Sequence, residues 1–130
     1  MTSASNRKII ADLYESFVID DPNPVLTAFN DDSVWTEPGS NARAGVFRGV
    51  AEITEHAAHC RSLTDGTIGT DVLEILAGER FVVVVERALA LRNGTTLNML
   101  CNDLYELADG VVTQFRIVPF DPPAWNAFWS

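Results

Sequence analysis

Residues 80–118 read RFVVVVERALALRNGTTLNMLCNDLYELADGVVTQFRIV. Two dipeptides punctuate the stretch, Asn93-Gly94 and Asp109-Gly110. Both suit tight hairpin turns, whose central residues sit at positive φ, where Asn, Asp and Gly are least penalised. The segments between them are rich in Val, Leu and Thr, and predict strands over 80–92, 95–107 and 111–118. Another strand over 67–77 joins them through Ala77-Gly78-Glu79. The C-terminal half is therefore expected to be a four-strand antiparallel meander.

Upstream the periodicity changes. A helix is expected over 4–19, with Ser5 as N-cap. Ile10, Leu13, Tyr14 and Phe17 recur at helical spacing and mark its buried face. The prolines of DDPNP, residues 20–24, end it. A short helix over about 23–29 leads to a strand over Ser33–Glu37, a loop with a short strand, and a third helix over 50–63. The aromatic tail DPPAWNAFWS, residues 121–130, is expected to pack on the body or on a partner subunit. Helices with one short strand, then a long sheet, define an α+β fold. At 130 residues the chain is expected to be one domain, 1–130.

Composition narrows the partners. The chain is 47% hydrophobic and 21% charged, enough apolar mass for a core. A net charge of −9, with Lys and Arg scattered, argues against nucleic acid and anionic membranes, which need a basic patch. Cys60 and Cys101 form no metal-type pair, and a disulfide framework is not expected, which points to the cytoplasm. His56 and His59 lie three apart on one helix without a third ligand, so no metal is expected.

Alternation along the strands selects a candidate site. In residues 29–40, FNDDSVWTEPGS, Ser33, Trp35 and Glu37 share one side of a strand. On the strand over 95–107, Leu97, Met99, Cys101, Asp103, Tyr105 and Leu107 form the more apolar face, which is assigned inward. On the strand over 80–92 the inward face is assigned to Phe81, Val83, Val85, Leu89 and Leu91, interrupted by Arg87. On the last strand, Val111, Thr113, Phe115, Ile117 and Pro119 share a side. Glu37, Asp103 and Tyr14 are thus expected in one apolar cavity, where burial raises the pKa of an acid. Trp35, Met99, Cys101, Tyr105, Phe115 and Ile117 are the candidate wall for a substrate. His56 and His59 join them if their helix face turns inward.

These segments resemble the nuclear transport factor 2-like superfamily, most of all its ketosteroid isomerase and SnoaL-like polyketide cyclase branch. The resemblance implies a cone-shaped curved antiparallel sheet packed on N-terminal helices around a deep apolar pocket, the cystatin-like or ketosteroid isomerase-like α+β barrel. Ketosteroid isomerases carry an Asp-Pro base where this chain has Glu37-Pro38. They carry a helix-one tyrosine that matches Tyr14 with one residue fewer between. Their second strand acid falls on Asp103 with a shorter hairpin, or on Asn102 without that gap. The resemblance thus implies Glu37 as proton-transfer base, and Tyr14 with a protonated Asp103 holding an enolate oxygen. It departs at the base, one methylene longer, and at Ile117 or Val118, where cyclases carry an acid.

The expected function is a cofactor-free acid–base enzyme on a hydrophobic carbonyl or polyketide-like molecule, an isomerase before a cyclase or epoxide hydrolase. The rival is a ligand-binding or dimerisation module. An apolar outer face built from Val82, Val84, Ala88, Ala90, Leu100 and Leu104 would make the protein a homodimer through its sheet.

Overall fold

The computed structural model describes residues 2–19 and 23–130. Helix α1 spans Ser3–Ile19, α2 Asn23–Ala28, α3 Gly49–Ser62 and α4 Pro122–Trp129. Strands are β1 Val34–Glu37, β2 Gly45–Arg48, β3 Gly69–Ala77, β4 Phe81–Arg92, β5 Thr95–Ala108 and β6 Val111–Pro119. They form one sheet in the order β2-β1-β6-β5-β4-β3. The expected meander is present, but the sheet is mixed, because β1 runs parallel to β6 while the other pairs are antiparallel. Register shifts at Val72/Glu74 and Glu106/Leu107 bend the long strands, as bulges do. The curved sheet and its helices make the α+β cone.

Helix α1 lies on β3 and β4, and α3 covers β2. The N-cap of α1 is Thr2 rather than Ser5. Thr2 Oγ1 accepts from the Ser5 amide at 3.0 Å and Ser5 Oγ accepts from the Thr2 amide at 3.0 Å, a reciprocal capping box. Ile10, Leu13 and Tyr14 are buried as the helical stripe required, but Phe17, the fourth residue of the stripe, is 46% exposed. The stop expected at Asp20–Pro22 lies outside the described residues. The aromatic tail is a helix, opened by the Asp121 side chain, which accepts from the Ala124 amide at 3.2 Å. It docks on the body, burying Trp125 and Trp129.

The face assigned to β4 was reversed. Val82, Val84, Glu86, Ala88 and Ala90 are buried, while Phe81 and Leu91 are exposed. The two-residue Asn93-Gly94 turn fixes this, since it pairs Arg92 with Thr95 and therefore Val84 with Asp103 and Glu86 with Cys101. Directly paired residues share a face, so an inward Asp103 requires an inward Val84. Four of the six residues expected on the outer face, Val82, Val84, Ala88 and Ala90, thus belong to the core. The outward side is formed instead by residues such as Phe81, Leu104 and Val118.

Candidate active site

Two polar clusters sit inside the cone. The first joins α1, β4 and β5. Asp103 is 2% exposed, and Tyr14 reaches it from the buried stripe of α1. The Tyr14 hydroxyl donates to Asp103 Oδ2, and the Tyr105 hydroxyl donates to that of Tyr14 at 2.8 Å. Glu86 enters from β4, and its carboxyl shares a hydrogen bond with that of Asp103. Two carboxyls in hydrogen-bond contact hold a proton between them. Burial, and then the Glu86 carboxyl, push Asp103 well above the usual carboxylate range, so Asp103 keeps the proton. Asp103 Oδ1 receives no hydrogen bond from the described residues, which suits an oxygen that itself carries the hydrogen. Burial also raises Glu86, and it keeps the Tyr14 and Tyr105 phenols protonated.

The second cluster joins β1, the following loop and α3. Glu37 is 3% exposed. Its Oε2 accepts from Arg43 Nη2 at 2.9 Å and from Trp35 Nε1 at 3.0 Å, and pairs with His56 Nε2 at 2.7 Å. Burial pushes Glu37 up, but Arg43 and His56 outweigh it and hold the carboxyl below its ordinary range. The raised pKa expected for Glu37 is therefore corrected: burial is the largest single influence on it, but Arg43 and His56 together outweigh it. Arg43 is gripped from its other side by α4, its guanidinium 5.0 Å from the Trp125 ring centroid and 4.7 Å from that of Trp129. The His56 ring stacks on Phe47 at 3.8 Å.

A cavity of about 440 Å³ opens against these clusters, inside the ~300–1,000 Å³ range of small-molecule sites. Of the anticipated residues, Tyr14, Asp103, Trp35, Tyr105, Phe115 and Ile117 line it. Glu37 and His56 are buried but are not on its wall, and neither are Met99 and Cys101. His59 is exposed, its ring bonded to the Ala42 carbonyl at 3.1 Å, and takes no part. Among the wall residues that escaped sequence reading are two buried charged ones, Glu86 and Arg43. The register set by Asn93-Gly94 was the available signal for Glu86. For Arg43, whose position depends on a loop and on the tail helix, the sequence carries no comparable signal.

Glu37, His56 and Cys60 bring ligand atoms within 4.8 Å of one another, a set that sequence spacing did not suggest. Arg43 hydrogen-bonds Glu37 and also acts on the Cys60 thiol. A guanidinium thus already holds the cation's place, and the set does not fit a metal well. Burial pushes the Cys60 thiol up to about 11 and raises that of Cys101 as well, so neither is poised as a thiolate.

Comparison with known proteins agrees with the fold. The family model of the SnoaL-like domain matches residues 10–115. The chain is 28% identical over 131 residues to an uncharacterised protein of Mycobacterium tuberculosis, covering 100% of both. The structure of Bal32a, from a soil-derived mobile gene cassette, superposes with a TM-score of 0.92 at 26% identity over 98% of each chain. An NTF2-like protein from Burkholderia xenovorans superposes with a TM-score of 0.81 at 21% identity, over 100% of this chain and 99% of that one. The chain belongs to the SnoaL-like domain family, and it shares its fold with that NTF2-like protein.

Proposed function

We propose that this protein is an acid–base enzyme that moves a proton next to the carbonyl of a hydrophobic small molecule, using its own side chains. One observation carries the reading. A buried Asp103, bonded to Tyr14, beside the Glu86 carboxyl and pushed by burial well above the usual carboxylate range, faces a largely apolar cavity. A carbonyl oxygen entering between Tyr14 and Asp103 draws to itself the hydrogen that Tyr14 now gives to Asp103 and the proton that Asp103 now holds toward Glu86. The two donors, so redirected, stabilise the negative charge that grows there as the α-proton leaves. Glu86 is the proton acceptor. It is on the wall, and burial makes it a stronger base than an ordinary glutamate. Returning the proton to a different carbon completes an isomerisation.

Glu37, the base that the resemblance implied, takes another part. Its charge is bound by three donors and it lies behind the wall. It is the anchor that fixes Trp35 and Arg43, two residues of that wall. Ring closure or epoxide opening is the second reading. It draws on the contact between acid and base, since Asp103 can protonate an oxygen while Glu86 activates the attacking group. The outward apolar face of β4–β6 supports a homodimer, checked by light scattering at micromolar concentration.

Hydrogen–deuterium exchange into the ketone β-tetralone tests the proposal. Exchange above the buffer rate is expected, with Tyr14→Phe and Asp103→Asn each slowing it about a hundredfold to a thousandfold. Glu86→Gln should abolish the enhancement, while Glu37→Gln should retain a measurable part of it. Binding without exchange would leave a ligand-binding module instead.

A further inference from the structure

One acid on the cavity wall meets, among the described residues, no hydrogen-bond donor except a neighbouring acid. Glu86 is 5% exposed and lines the cavity. Its hydrogen-bond partner among the described residues is the Asp103 carboxyl. With one proton between the two carboxyls, one negative charge remains. The buried cation on the same wall, Arg43, is already paired with Glu37 at 2.9 Å. Arg43 also favours a charge on Glu86 through space, but it is hydrogen-bonded to Glu37 and not to Glu86. A buried charge without a cation of its own is costly, and a ligand that brings a positive charge into contact with Glu86 lowers that cost.

The rest of the wall suits such a ligand. Tyr14, Phe17, Trp35, Tyr105, Phe115 and Trp129 all contribute rings, and Trp35 stacks on Phe115 at 3.7 Å. Aromatic faces attract cations through their quadrupole. Ala57 and Ala88 put small side chains on the same wall, which leaves room for a ring system. The net charge of −9 draws cations toward the chain.

We infer that this cavity binds hydrophobic aromatic ammonium compounds, with the N–H⁺ donated to Glu86 and the positive charge faced by the aromatic wall. The inference rests on the reading of Glu86 as the charged member of the acid pair. The ammonium stands where a substrate would give up its proton.

Isothermal titration of the full chain at neutral pH tests it with three probes on one ring system: naphthylmethylamine, naphthylmethanol and naphthoate. The amine should bind about tenfold tighter than the alcohol, and the naphthoate weakest. In Glu86→Gln the amine and the alcohol should converge. Should that variant fail to fold, the ranking in the native chain decides alone. An alcohol or naphthoate that equals or exceeds the amine overturns the inference, and so does the absence of binding by all three. Exchange of β-tetralone without a preference for the amine would sink this inference and leave the catalytic proposal standing. A preference for the amine without exchange would do the reverse.

Discussion

Two buried acids in one cone have taken opposite states. Glu37 is ionised, tied to Arg43 and His56, and closed off from the cavity. Asp103 is pushed well above the usual carboxylate range, tied to Tyr14 and Glu86, and open to it. Both are almost wholly desolvated, so burial alone does not separate them. What separates them is the neighbour. A guanidinium beside one carboxyl favours its charge, and a second carboxyl beside the other opposes it. The Glu37 cluster fixes two residues of the cavity wall, Trp35 and Arg43, and in the proposed reaction the Asp103 cluster supplies the proton.

The comparison is broken most severely at Arg43. Arg43→Met should leave Glu37 charged and buried without its cation, at a cost of about 3–5 kcal/mol in urea unfolding. Adding Glu37→Gln to that variant should recover part of the loss, because the two changes share one interaction.

A smaller effect is expected at Gly39, in the loop that carries Arg43. Gly39 has φ +89, and a Cβ there would lie 2.1 Å from Asn126 Oδ1. That oxygen accepts from the Ser40 amide at 3.1 Å and from Asn41 Nδ2 at 2.7 Å, fastening the loop to α4. Gly39→Ala should cost about 1–3 kcal/mol. It should also weaken the grip of Trp125 and Trp129 on Arg43, visible as a change in tryptophan fluorescence.

Acid titration of stability sharpens the contrast, because the two clusters have opposite signs. Glu37 is held below its ordinary value, so its contribution is present above about pH 4 and is lost as the pH falls further. Asp103 is held above its ordinary value. Its contribution is full below about pH 4 and declines as the pH rises toward its own pKa, because the unfolded chain gives up the proton first. In urea unfolding across pH, Glu37→Gln should flatten the acid-side fall, and Asp103→Asn should remove the decline toward neutrality. The smallest effect belongs to His59, where substitution by Ala should stay within about 0.5 kcal/mol.

Much of this was legible in the chain. The Asn-Gly and Asp-Gly turns gave the meander, and helical spacing gave the buried face of α1. Alternation on β5 places Asp103 and Tyr105 inward without appeal to any family. The error on β4 has a definite cause. Val82–Val85 is a run of four valines that offers no contrast between its two faces, and Leu89 and Leu91 outweighed Ala88 and Ala90 in apolar bulk. The turn register carried the correct answer, because a two-residue loop leaves a single pairing, and that pairing brings Glu86 in. Arg43 was beyond such reasoning. It lies in an irregular loop, and its partners come from β1 and from a helix more than eighty residues later.

The measurement closest to the centre is an isotope-edited infrared spectrum of the Asp103 carboxyl at neutral pH, with Asp103→Asn as the reference. The expected result is the carbonyl band of a protonated, hydrogen-bonded acid, absent from the variant and persisting well above the pH at which ordinary aspartates ionise. A carboxylate band that titrates with the surface acids would mean that Asp103 has no proton to share, and the site would lose its acid.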